Sequence, residues 1–211
     1  MKKLLILLFA IVSIAGMSFI TIDGLNIGDA LPKATVKLKD VSGKQITMQD
    51  AKKENGLLVM FSCNTCPYVV KYQQRTKDIA AYAQTMNVGV IVLNSNEALR
   101  ADDDSYDAMK KYAKDQNYNW FYAVDENNLL ADAFGANRTP ECFLFDKNLK
   151  LVYHGAIDDN ANDAAQVGRM HLRIAIDEMK GGKDIATKTS KSIGCTIKRK
   201  AMTIRNKEYV K

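Results

Sequence analysis

The chain has 211 residues, 47% apolar and 26% charged, the balance of a single globular domain with a good-sized core and not of a disordered or fibrous protein. Its formal charge of +6 is unevenly spread: residues 180–211 hold ten cations against only Asp184 and Glu208, which leaves residues 19–179 near −4. A general nucleic-acid surface on the domain is therefore not expected.

Lys2 and Lys3 form a short basic stretch, Leu4 to Ala15 an apolar run of twelve, and Gly16 to Ser18 supply small residues. That pattern predicts a secretory signal over residues 1–18. The alternative is an uncleaved anchor, since Leu4 to Ile22 is nearly long enough to span a bilayer. Either way the domain, residues 19–185, is expected outside the cytoplasm, in the periplasm or beyond, where thiols can be oxidised. Residues 186–211 read as a basic tail that could contact anionic lipid weakly.

In chain order, alternation in Thr35 to Lys39 and Gln45 to Met48 predicts a hairpin. Gly56 to Phe61 is a continuous apolar run, as expected of a strand buried on both faces. After Pro67 the period changes: Val69, Tyr72, Ile79, Ala83 and Met86 recur at helical spacing over about five turns. Val88 to Leu93 is a second buried strand, and Asp102 to Gln116 a second helix with acidic residues in its first turn. Strand, helix, strand, helix implies a parallel α/β core. Phe143 to Phe145 and Leu149 to Tyr153 flank a short turn and must pair antiparallel. A last helix, with Gly168, Leu172, Ala175, Ile176 and Met179 on one side, stops at Gly181-Gly182.

The four cysteines are Cys63, Cys66, Cys142 and Cys195, and only the first two have an informative spacing, C-x-x-C, between a buried strand and a helix. Proline suits the first helical position because its missing N–H would be unpaired there. Pro67 is thus expected at N1 and Cys66 at the N-cap, facing free backbone N–H groups. A helix N-terminus should lower a thiol near 8.5 by about one unit, enough for a useful thiolate but not for a strong oxidant. Cys66 is the expected nucleophile and Cys63 the resolving thiol of a disulfide exchange. A zinc site lacks a second close pair of ligands, and an inert Cys63–Cys66 disulfide would close too small a loop to stabilise much.

These residues resemble the thioredoxin-like superfamily, and within it the peroxiredoxin-like redoxins of the alkyl hydroperoxide reductase/thiol-specific antioxidant type. The resemblance rests on Ile27-Gly-Asp, the Cys-Asn-Thr-Cys-Pro-Tyr-Val stretch, Val92 to Asn96, Arg138-Thr-Pro-Glu141, Phe143 to Asp146, Gly155 to Asn160 and Gly194-Cys-Thr-Ile-Lys198. It implies an α/β thioredoxin-like fold, a central mixed sheet flanked by helices, with the hairpin as an N-terminal extension. It further implies a cis proline at Pro140 beside the cysteines, Thr139 as a substrate contact, disulfides or thiols as partners, and an electron-donating thiol. No cofactor is required, because two thiols carry both electrons.

Three departures stand out. Thr65 replaces a frequent histidine between the cysteines, Met60 falls where thioredoxin has a buried acid, and Cys63 stands where peroxiredoxins carry threonine. An alternative activity is that of a thiol peroxidase, with Arg138 as the group beside the peroxide. A less favoured one is a copper-carrying redoxin using Cys63, Cys66 and either His154 or His171. Cys195 is a candidate third redox thiol or a partner for Cys142, which otherwise reads as core.

Overall fold

The computed structural model describes residues 24–200. The expected leader over 1–18 and the end of the basic tail, 201–211, lie outside the described residues.

The predicted hairpin forms, but only Leu38–Lys39 (β1) and Gln45–Ile46 (β2) pair. Met48, read as strand, instead opens the short helix α1 (Met48–Ala51), because Thr47 and Asp50 form a reciprocal capping box. There follow β3 (Leu57–Ser62), α2 (Pro67–Thr85), β4 (Gly89–Asn94) and α3 (Tyr106–Asp115). Next come β5 (Phe121–Val124), α4 (Leu129–Phe134), β6 (Arg138–Thr139), β7 (Glu141–Phe145) and β8 (Leu151–Gly155). The last elements among the described residues are α5 (His171–Lys180) and β9 (Cys195–Thr196).

Five strands make one mixed sheet in the order β5-β4-β3-β7-β8. β3, β4 and β5 run parallel, and β7 and β8 are antiparallel additions. The fold is thioredoxin-like, as the resemblance implied. Alternation along β3 shows why that strand reads as continuously apolar. Leu58 and Met60 pack with α2, α3 and α5, whereas Leu57, Val59 and Phe61 pack with α1 and α4 on the other face. Both faces are covered, so neither can be polar.

Three expectations need correction. The helix predicted from Asp102 begins only at Tyr106, capped by Ser105; Asp102 to Asp104 form a turn, and Asp104 is fully buried. Gly168 precedes α5 by three residues and is not part of it. Residues 186–200 do not form a free tail. Ser190 binds Tyr153 and the Ala156 amide, Ile197 is buried among the α1/α4-side core residues, and Lys198 exchanges hydrogen bonds with Ala98 and Asn96. The charge pattern hid this packing, because its apolar anchor is a single isoleucine among lysines.

The packing of that segment is measurable. Ile197→Ala should destabilise the protein by about 2 to 5 kcal/mol, the usual cost of truncating a buried isoleucine. The thermal midpoint should fall by several degrees, whereas a solvated tail would leave it unchanged.

Candidate functional site

The site arises from strand register. β3 is the central strand, and its last residues pair antiparallel with the start of β7, Phe61 opposite Glu141. The loop that leaves β3 therefore meets the segment that enters β7. Cys63 and Cys66 come from the first, Thr139 and Pro140 from the second, and the Thr139-Pro140 bond is cis. Cys66 is the N-cap of α2 and Pro67 its first residue, as the sequence implied.

The loop between the cysteines is held by buried polar groups. Asn64 donates its backbone N–H to Asp104 at 2.9 Å and its side-chain amide to the Asp103 carbonyl at 2.8 Å. Its amide oxygen accepts from the Tyr122 hydroxyl at 2.8 Å. Asp104 also accepts from the side-chain amides of Asn94 and Asn96, and Arg100 ties the Asp104 and Asn94 carbonyls together. A buried carboxylate without such donors would be costly. With Met60 in the apolar core, the buried acid whose charge bears on Cys63 is Asp104, supplied by a different element from the one expected. The sequence signal was Asn94 and Asn96, whose side-chain amides share Asp104 as acceptor.

Cys63 and Cys66 are both buried, with Cys66 slightly the more open. The Cys66 thiol donates toward the Thr139 carbonyl at 3.4 Å, and Cys63 lies 3.6 Å from the Thr139 hydroxyl. Cys66 ionises well below an ordinary thiol, chiefly because Cys63 donates to its sulfur; burial opposes this, while Cys195 and the Val69 amide favour it. Cys63 is pushed far up by that same bond, by burial and by the negative field of Asp104. The shift of Cys66 thus has a larger source than the helix terminus to which the sequence ascribed it. The Cys66 side chain makes no capping hydrogen bond, and the neighbouring thiol outweighs the Val69 amide as a cause of the shift.

Cys195 reaches the same place through β9, which pairs antiparallel with β6 so that Cys195 lies opposite Thr139. It packs against the cluster of Cys63, Cys66 and Val69. The backbone edge of Thr139, expected to receive substrate, is thus occupied by the chain's own C-terminal strand. Cys142 points into the opposite core with Leu58, Met60 and Tyr72, so it does not pair with Cys195; all four cysteines are free thiols.

Neither histidine joins the cysteines. His154 binds Glu141 at 2.7 Å and stacks on Phe143, and His171 opens α5. Among the described residues no three His, Cys, Asp or Glu side chains are grouped to hold a metal ion. Arg138 is exposed and donates to the Thr196 hydroxyl.

The Redoxin family profile matches residues 26–169, a span that contains the cysteine loop and the cis proline. The chain belongs to the Redoxin family. This redoxin is 33% identical to an uncharacterized conserved protein from Geobacillus kaustophilus, with a TM-score of 0.77 over 83% of this chain and 93% of the other. A hypothetical protein from Sinorhizobium meliloti 1021 is 32% identical, with a TM-score of 0.76 over 85% and 97% of the two chains. A PrxQ mutant from Xylella fastidiosa shares the fold at 16% identity, TM-score 0.57, over 76% and 98%. No curated protein matches this redoxin closely enough to count as a relative. As a family member it is a thiol redox protein with thiol or disulfide partners.

The electrostatics make a kinetic prediction. Alkylation of Cys66 should follow a titration with its midpoint well below that of an exposed thiol, near 8.5. Cys63→Ala removes the principal donor and should move the midpoint up toward that value. Iodoacetamide rates against pH, read by intact mass, check both.

Proposed function

We propose that this redoxin is an exported thiol-disulfide oxidoreductase working by dithiol/disulfide exchange through Cys66 and Cys63. The observation that carries the reading is the packing of Cys63 and Cys66 into one buried cluster at the start of α2, both sulfurs against Thr139. The Cys66 thiolate attacks a substrate disulfide, forms a mixed disulfide with one half and releases the other half as a thiolate. Cys63 then loses its proton, attacks the Cys66 sulfur and expels the remaining half. The substrate has gained two electrons and the protein holds a Cys63–Cys66 disulfide, which an electron-donating thiol partner reopens. Run backward, the same steps oxidise a dithiol.

The geometry supports the separation of roles. The sulfur with the lowered proton affinity is the better nucleophile at neutral pH, and the more buried Cys63 is kept protonated until the mixed disulfide forms. Export is supported by the signal-like pattern of residues 1–18. The peroxidase alternative has less behind it, since Arg138 is exposed and engaged with Thr196.

Cys66→Ser should reduce the rate of glutathione disulfide reduction to that of the uncatalysed reaction, while Cys142→Ser leaves it near the parental rate. Hydrogen peroxide consumption by the reduced protein should be no faster than that of a free thiol. A parental disulfide reduction rate in Cys66→Ser would refute the reading, and rapid peroxide turnover lost in that variant would establish the peroxidase instead.

A further inference from the structure

The exchange through Cys66 and Cys63 employs two of the three thiols at the start of α2. All three meet at Thr139: the Cys66 thiol faces its carbonyl, Cys63 lies beside its hydroxyl, and Cys195 stands opposite it in β9 and packs against the Cys63–Cys66 cluster. Cys195 is not brought there by a loose end. On its N-terminal side Ser190 is fastened to Tyr153, the Ala156 amide and the His154 carbonyl. On its C-terminal side Ile197 donates to the Asn137 carbonyl, Lys198 to Asn96, and Arg199 to Asp132 and the Ala136 carbonyl.

Two glycines let this strap lie close. A Cβ on Gly194 would fall 2.2 Å from the Thr139 oxygen, and one on Gly155 would fall 2.3 Å from the Ser190 hydroxyl. Gly194 is thus the residue that allows the next one, Cys195, to settle against the cysteine loop. The Thr139 edge and the Cys66 sulfur are both met by one short β-strand that carries its own thiol.

We propose that Cys195 is a third catalytic thiol and that its strand is a built-in substrate of the site, receiving the Cys66 sulfur from the Cys63–Cys66 disulfide. The proposal rests on the reading of Cys66 as the exchanging sulfur. In the step, Cys195 gives up its proton and its sulfur attacks Cys66. The Cys63–Cys66 bond breaks, a Cys66–Cys195 bond forms, and Cys63 leaves as a thiolate that takes up one proton. Cys195 is oxidised and Cys63 is reduced, so no outside oxidant enters. Burial and the nearby Asp104 favour the protonated form of the departing Cys63, which pulls the exchange forward. The product strap is covalently closed over the Thr139 edge, and a donor thiol that reduces Cys66–Cys195 releases it.

Disulfide mapping after oxidation with glutathione disulfide, acid quenching, alkylation and tryptic digestion tests this. In the parent a cross-link between peptides 54–71 and 192–198 should accumulate beside the disulfide internal to 54–71. In Cys63→Ser, glutathione transferred to Cys66 should be displaced by Cys195, so that Cys66–Cys195 becomes the main oxidised form. Gly194→Ala keeps all three thiols but should lose the cross-link while retaining Cys63–Cys66. Cys66 of Cys63→Ser ending as a stable glutathione adduct, with Cys195 fully alkylated in that variant and in the parent, would overturn the proposal and leave the Cys63–Cys66 exchange standing. A Cys66 that forms no disulfide in any of these proteins would overturn both.

Discussion

The constraint on which the site depends is the packing of two thiols against each other and against Thr139 at the start of α2. The neighbouring thiol lowers the proton affinity of Cys66, and Cys66 together with burial raises that of Cys63, so ionisation of the pair is concentrated on the sulfur at the N-cap of α2 and withheld from the deeper one. This asymmetry arises from position: both residues follow the same strand, three apart, but one enters the helix and the other stays against Thr139. A nucleophile and a reserve thiol result without any cation between the cysteines and without a histidine beside them.

Holding two sulfurs in that relation requires a stiff loop, which the protein obtains from buried polar groups. Asn64 has its backbone N–H, side-chain amide and side-chain oxygen all engaged, with Asp104 as the common acceptor for Asn64, Asn94 and Asn96. Such a network specifies one arrangement, because losing any member leaves a buried donor or acceptor unpaired. The C-terminal strap completes the enclosure from the other side, where Cys195 sits opposite Thr139. Cys66 is therefore contacted by residues from distant stretches of the chain, although its chemistry is written in four consecutive positions.

The parts most legible in the sequence are those whose signal is local. β3 and β4 were recognisable as unbroken apolar runs because each is buried on both faces, and α2 by its period and by Pro67 at its first position. β5 and α4 gave no comparable signal: the strand is four residues and the helix six, too short for periodicity to stand out. Acidic residues 102–104 resembled a helix start, but Asp104 is taken by the asparagines of other elements. Thr139 lies beside the cysteines, where the resemblance put it, but its pairing with β9 was not legible, since that pairing joins positions more than fifty residues apart.

The amino-acid sequence alone determined the central α/β elements, the adjacent thiol pair and the placing of Cys66 at a helix start, because each follows from spacing and backbone preference within a few residues. Only the tertiary structure decided which group lowers the proton affinity of Cys66, which buried carboxylate bears on Cys63, and that Cys195 arrives where Cys142 does not. Those are contacts between remote segments. Their energies depend on distance and burial, which emerge when β3, β7 and the returning C-terminal strap are packed together.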